Sequence, residues 1–419
     1  MQKPLIRYIF ILFLLFGLPL SVFASPLPML TWSKVPGAVA YELELLTQPP
    51  ENGHIPASSE NLYFSTRQIF VAGYNADLTN YRRPLIYWRV RGLDISGKPL
   101  GPFTDAEPLF VSRRQSSPAK PLPTSVFNQS PGAALLYPVY AWIPVHGAAK
   151  YEVEILDAPP ENPNGAAPSI HRIDTGTAVG FDYYDTRARF GENRFYWRVR
   201  GLDAVGSPVG VYSDAGVFSL NPKNPVLVAT FGDSITHGGG AVSYPPSDWE
   251  YSYQHYLHFD SVNLGKSGDT SQTMLERFEA DVLPFRPQYL LILGGINSLR
   301  AGVPAADVIA NFRALKEACL ANNIRPVFLT LPPINPHNIK KIFNEPTAPD
   351  WQAQLQQVNR YIRTQVHIDA ALGMAGPDGL LPERLAIDGL HLDIEGKKQI
   401  AAAVNAGWPR IIVSPWSND

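Results

Sequence analysis

A serine and a histidine–aspartate pair, far apart in the chain, have the types and settings that acyl transfer needs. Ser234 follows the apolar, β-branched run 226–231 through Gly232 and Asp233. It therefore falls where a buried strand stops and small polar residues begin, and Gly232 is read as the residue that permits the sharp turn. In an open α/β sheet such strand ends are where ligands bind. A serine hydroxyl attacks a carbonyl when a base takes its proton, and the base needs a carboxylate to orient it. Asp388-Gly389-Leu390-His391, directly ahead of the last expected helix, supplies both. Three residues on a tight turn let Asp388 reach one imidazole nitrogen and leave the other free to face a serine. The developing oxyanion needs donors, and two further strand ends offer them: one leads to Gly268, the other is Gly294-Gly295-Ile296-Asn297. With the Ser234 N–H, the Gly268 N–H and the Asn297 amide make a three-donor set. Taken singly, Ser234 also reads as a helix N-cap, and Asp388 with His391 as a capping turn. Capping does not explain why all four groups fall at one edge of the sheet.

Rival chemistries find less support. Gly238-Gly239-Gly240 lacks the Lys-Ser/Thr that completes a phosphate loop, and no Gly-x-Ser-x-Gly elbow occurs. His237, His255 and His258 come without a His-Glu-x-x-His or carboxylate set, so no metal and no cofactor is expected. Ser117-Pro-Ala-Lys120 has the Ser-x-x-Lys spacing but sits in a linker. The only cysteine, Cys319, shares the helical stripe of Val308, Phe312 and Leu315 and reads as a core thiol.

Gly232-Asp233-Ser234, Gly268, Gly295-Ile296-Asn297 and Asp388-Gly389-Leu390-His391 resemble, in order, the four blocks of the SGNH (GDSL-type) hydrolase family. The resemblance covers about 226–408. It implies Ser234 as nucleophile, His391 as general base and then acid, Asp388 as its orienting carboxylate, and Ser234, Gly268 and Asn297 as the oxyanion hole. Two positions depart from the family pattern: Ile235 replaces the usual leucine, and Ser298 an acidic residue.

The elements that must position these groups alternate. Strands are expected at 226–231, 262–264, 289–293, 327–331 and 366–368. Helices are expected at 252–258, 273–283, 305–322, 351–364 and 393–406. This pattern predicts a parallel sheet covered on both faces, an α/β/α (flavodoxin-like) domain over 225–415. Pro-rich loops around Tyr244, Trp249 and Asn335 follow strand ends, and these three residues with Asp233 are candidate substrate contacts.

The part before residue 221 is a repeat. The stretch Trp32 to Tyr41-Glu-Leu-Glu-Leu recurs from Trp142, 110 residues on, and Tyr87-Trp88-Arg89-Val90-Arg91 recurs from Tyr196, 109 on. Period-two alternation with Pro/Gly turns predicts two all-β sandwiches, at 25–115 and 124–220. They resemble immunoglobulin/fibronectin type III-like modules, with Trp32, Trp88, Trp142 and Trp197 mostly in their cores. Their alternating Glu and Arg side chains are expected on a solvated face, and 113–123 as the linker. The chain is thus expected to be multidomain.

A net charge of −2 leaves no basic excess to neutralise phosphates, which argues against nucleic acid as a partner. Residues 1–24 carry Lys3 and Arg7, an apolar run and small residues before Ser25, the pattern of a cleaved signal peptide. The mature protein is therefore expected outside the cytoplasm, periplasmic or extracellular, with no integral membrane segment. Export and sandwich modules like those of secreted polysaccharide-acting enzymes point by analogy to O-deacylation of carbohydrate, as by an acetyl esterase, with a small-molecule or polysaccharide ester as substrate. A lipid or thioester acylhydrolase is the alternative, since Gly268-Asp-Thr-Ser-Gln resembles thioesterase/lysophospholipases of the same family. An inactive binding module is the reading of another class. Oligomeric state is not legible.

Overall fold

A computed structural model of the chain describes residues 26–50, 60–111, 117–129, 134–240 and 244–414. The leader expected over 1–24 and residues 113–116 of the expected linker lie outside them. Strands β1 (Met29–Thr31), β2 (Ala40–Leu46), β3 (Leu62–Ile69), β4 (Gly73–Asn75), β5 (Leu85–Leu93) and β6 (Glu107–Phe110) form two antiparallel sheets, β1-β4 and β3-β2-β5-β6. Leu30, Tyr41, Leu43, Leu45, Ile69, Trp88 and Val90 share one core between them. The second copy comprises β7 (Leu122–Pro123), β8 (Val139–Ile143), β9 (Lys150–Leu156), β10 (Arg172–Ala178), β11 (Asp182–Tyr184), β12 (Phe195–Leu202), β13 (Pro208–Val209) and β14 (Gly216–Phe218). Its sheets are β11-β8-β7 and β10-β9-β12-β13, with β14 also on β12. Leu122 and Pro123, expected in the linker, are thus already strand.

Trp88, Trp142 and Trp197 are buried as expected, while Trp32 is half-buried against Tyr41 and Trp88. The solvated-face expectation fails. Glu44 and Arg89 face each other across β2 and β5 at 2.6 Å, Glu154 and Arg198 across β9 and β12 at 2.5 Å, and all four are buried. The segment after β5 places the Phe103 ring over Arg89, and the segment after β13 places Tyr212 over Arg198. Each face is roofed by an aromatic ring, and its charges survive burial because they are paired.

The C-terminal part contains β15 (Val228–Gly232), α1 (Ser234–His237), β16 (Val262–Asn263), α2 (Ser271–Asp281), β17 (Tyr289–Leu293), α3 (Ile296–Arg300), α4 (Ala305–Ala321), β18 (Arg325–Leu329), α5 (Pro336–Phe343), α6 (Trp351–Arg363), β19 (His367–Ile368) and α7 (Ile394–Val413). The five strands run parallel in the order β16-β15-β17-β18-β19. Every residue of β15 and β18 is buried, as a parallel sheet covered on both faces requires. The helix expected at 252–258 is instead two short 3-10 turns, Trp249–Tyr251 and Tyr253–Tyr256. β18 begins two residues early because the ladder with β17 already pairs Arg325 with Tyr289 and Pro326 with Leu290; the buried Arg325 guanidinium binds the Ile411 carbonyl and Ser414 at the end of α7. No helix of the described residues is long and apolar enough to cross a membrane.

The repeat is joined to this sheet by more than a linker. Leu135 pairs with Asn263 alongside β16, and Leu136, Tyr137 and Leu220 belong to the same buried core as the parallel strands. The Tyr137 hydroxyl donates to Asp281 at 2.6 Å. From the first copy, Lys34 pairs with Asp248 at 2.5 Å, and the Ala38 carbonyl accepts from the Tyr244 hydroxyl.

Candidate active site

β15 ends in a glycine for a steric reason: a Cβ on Gly232 would lie 1.7 Å from the Leu293 carbonyl oxygen of the adjacent strand. Close strand approach, rather than the turn alone, fixes the residue. The chain then turns at Asp233, whose buried carboxylate accepts from the Ile235 N–H (3.0 Å) and the Gly295 N–H (3.2 Å). Burial, with the charge of Asp269 adding to it, pushes this carboxyl up to about 6 despite the two donors. Asp233, a candidate substrate contact from the sequence, is therefore a buried clamp between two strand ends.

The clamp sets Ser234 at the first position of α1, with its Oγ 3.0 Å from His391 Nε2. His391 Nδ1 lies 2.8 Å from Asp388 Oδ2, and Asp388 Oδ1 accepts from the N–H groups of Leu390 and His391. Asp388 is wholly buried. A carboxylate can only accept here, so Nδ1 carries the proton and Nε2 is left to accept from the Ser234 hydroxyl. Such an arrangement can take a proton from the hydroxyl as it attacks a carbonyl, with the imidazolium stabilised by Asp388.

The expected donors come to the same end of the sheet. Among the described residues neither the Ser234 nor the Gly268 N–H has a hydrogen-bond partner. Gly268 takes φ +87°, the left-handed region where a side chain is strained. Asn297 donates one amide hydrogen to the Asp269 carbonyl (2.9 Å), and its Oδ1 accepts from Arg300 Nε (3.1 Å). Its second amide hydrogen remains for a ligand. Ser298, in place of an acidic residue, turns inward, and its Oγ accepts the Ser271 N–H at the start of α2.

Ser234 and His391 open on a cleft of about 240 Å³. Gly238, Gly239, Ser267 and Phe343 line it, together with Asp182 and Tyr184 from the second sandwich. Phe343, at the end of α5, meets the His391 ring edge-on at 5.8 Å. Of the other candidate contacts, Tyr244 borders the cleft, but its ring is buried on Tyr251. Trp249 packs against His255 and is not among the cleft residues. Asn335 caps α5, accepting from the His337 and Asn338 N–H groups, and its own N–H holds the Gly389 carbonyl. It steadies the Asp388 turn rather than substrate.

Sequence reasoning missed several residues. Arg277 donates to Asp269 (2.5 Å), Asp281 (2.9 Å) and the Gly232 carbonyl (3.1 Å), lashing the Gly268 loop to the end of β15. Lys397 is buried and donates to the Ile235 carbonyl. Burial pulls its amine down to about 7, against the opposing charges of Asp233, Asp393 and Asp388. His237 bridges Ser267 and the Tyr137 carbonyl of the second sandwich. Burial first, then the charges of Arg277, Lys397 and Lys266, lower it to about 4.

Residues 230–399 match the GDSL-like Lipase/Acylhydrolase family, and this part of the chain is a hydrolase domain of that family. Among solved structures, the lipase/acylhydrolase from Enterococcus faecalis is 20% identical and aligns 45% of this chain with 98% of its own, at a TM-score of 0.35. A GDSL-like lipase from Bacteroides thetaiotaomicron is 20% identical over 44% of this chain and 87% of its own (TM-score 0.36). A variant of an acetyl-xylooligosaccharide esterase from Geobacillus Stearmophilus is 21% identical over 45% and 94% (TM-score 0.32). No curated protein matches the chain.

Proposed function

We propose that Ser234 carries out O-deacylation of short-chain esters of carbohydrate hydroxyls. His391 Nε2 takes the Ser234 proton as Oγ attacks the acyl carbon. The N–H groups of Ser234 and Gly268 and the Asn297 amide receive the oxyanion. His391 then protonates the departing sugar oxygen, leaving an acyl-enzyme. A water gives its proton to His391, attacks, and releases the acid with Ser234 restored. Asp388 holds the imidazole throughout.

The observation that carries the substrate class is the make-up of the cleft. Apart from three aromatic rings, its walls are glycine, serine, histidine and carboxylate, with room of about 240 Å³. A small acyl group and a polar alcohol suit such walls, and a long alkyl chain would desolvate them without return. The test is turnover of acetylated sugars against long-chain acyl esters by purified protein. Faster cleavage of the acetylated sugar is expected, and preference for the long-chain ester would replace this reading with the lipid or thioester one.

The two sandwiches belong to the same reading as fibronectin type III-like modules. Their sheet orders support this, since β3-β2-β5-β6 and β10-β9-β12 with β14 repeat one arrangement, as do β1-β4 and β8-β11. Export as a periplasmic or extracellular protein follows from the leader-like residues 1–24 and would be tested by N-terminal sequencing of the mature protein.

A further inference from the structure

The cleft has a wall that the hydrolase domain does not supply. Strand β11 of the second sandwich pairs with β8, and period-two alternation sends Tyr183 one way and Asp182 and Tyr184 the other. Tyr183 stacks toward its own core, on Tyr140. Asp182 and Tyr184 line the cleft with Ser234 and His391. The repeat makes this pair conspicuous. At the offset of 109 residues that relates Tyr87 to Tyr196, β4 is the counterpart of β11, so Gly73, Tyr74 and Asn75 stand where Asp182, Tyr183 and Tyr184 stand. In the first copy this face is spent on the second copy. A Cβ on Gly73 would lie 2.3 Å from Ile143, and Asn75 Oδ1 accepts the His146 N–H at 2.9 Å. In the second copy the outward pair is a carboxylate and an aromatic ring, turned to the active site.

Among the described residues the Asp182 side chain has no hydrogen-bond or ion-pair partner, whereas Asp388 is held by His391 and Asp248 by Lys34. Burial and the neighbouring charge of Asp248 push Asp182 up to about 6. A carboxyl kept partly desolvated and unpaired loses free energy that a ligand's donors can restore. Tyr184 is 43% exposed and touches the His237 ring edge-on, so a face of its ring is open to a ligand.

We propose that Asp182 and Tyr184 form the subsite for the alcohol half of the substrate, the carboxylate accepting hydrogen bonds from adjacent sugar hydroxyls and the ring packing against the pyranose face. The inference rests on the carbohydrate reading above and makes the second sandwich part of the active site. Hydroxyls fit better than a cation, because the other carboxylate of the cleft, Asp388, is paired with His391, which leaves Asp182 as a single acceptor, and Asp248 near it is bound to Lys34.

The test compares an acetylated methyl glycoside with p-nitrophenyl acetate, whose leaving group offers no hydroxyl cluster. In the full chain, Asp182→Ala should raise KM for the glycoside about tenfold or more. Its loss in kcat/KM should exceed by about that factor the loss on the aryl ester, and Asp182→Asn should recover part of it, since an amide oxygen still accepts. Tyr184→Ala should move KM in the same direction. Equal losses on the two esters, or no loss on either, would overturn the subsite. So would an Asn variant as impaired as the Ala variant together with preference for a choline ester, which would make the site cationic. Failure of the wild type to cleave the glycoside while cleaving long-chain esters would sink the carbohydrate reading itself, and with it the subsite.

Discussion

Ser234 is held by restraints of two kinds. Asp233 and Gly232 fix its backbone through a buried carboxylate and a close strand contact, while His391 meets its hydroxyl through a hydrogen bond of 3.0 Å. Ser234→Ala and His391→Ala are each expected to lower kcat on a short-chain ester by about 10⁴-fold or more. Asn297→Ala should cost roughly 10²–10³ in kcat with KM little moved, because the oxyanion exists only beyond the ground state. Unchanged kcat in that variant would remove Asn297 from the oxyanion hole. His237 makes a different prediction, about stability. A free imidazole titrates near 6.5, whereas burial lowers His237 to about 4. Above 6.5 the group is neutral whether the chain is folded or not. As pH falls through this window the unfolded chain binds the proton first, so stability is lost, on the order of 3 kcal/mol by pH 4. His237→Gln keeps a donor for the Tyr137 carbonyl but cannot titrate, so Tm against pH should fall less steeply between 6.5 and 4 than in the wild type. Parallel curves would contradict this.

Among the elements, the strand ends decide what can react. The five parallel strands and four of the longer helices were legible because long apolar or amphipathic runs carry their own period. The candidate reacting groups were legible because Ser234, Gly268 and Asn297 follow strand ends, where such residues have no core role, and Asp388 and His391 stand together ahead of the last helix. Less was readable where tertiary contacts choose the structure. Pro336 reads as a loop residue, yet Asn335 caps it into α5, which brings Phe343 to His391. The Glu and Arg alternation of β2, β5, β9 and β12 reads as a wet face, yet Phe103 and Tyr212 roof it. Arg277 sits on α2 with no local sign of its role. It ties that helix to the Gly268 loop and β15, and its removal would leave Asp269 and Asp281 buried without their cation. Arg277→Ala should therefore lower unfolding stability by about 3–5 kcal/mol in denaturant titration, and should lower kcat as the Gly268 loop loosens. A variant as stable and active as the wild type would show the lashing to be idle.

For the whole molecule, the contacts make the second sandwich a structural part of the hydrolase. Leu136, Tyr137 and Leu220 lie in the core of the parallel sheet, and Leu135 pairs beside β16. Interfaces between independently moving domains are usually more polar than this shared apolar core. The second sandwich and the parallel sheet should therefore unfold in one calorimetric transition, and a fragment of residues 225–414 should melt several degrees lower than the full chain. Separate transitions would show the modules to be spacers. The repeat was legible in the sequence, but its place against the active site was not, because adjacency in space leaves no mark on spacing along the chain. One trace remains, the divergence of Asp182 and Tyr184 from Gly73 and Asn75. The claim on which all of this depends is that Ser234 is an activated nucleophile. Intact-protein mass spectrometry of the full chain treated with a fluorophosphonate tests it most directly. One phosphonyl adduct on Ser234 is predicted, absent in Ser234→Ala and strongly slowed in His391→Ala. An unlabelled wild type, or ester turnover that persists in Ser234→Ala, would contradict the account.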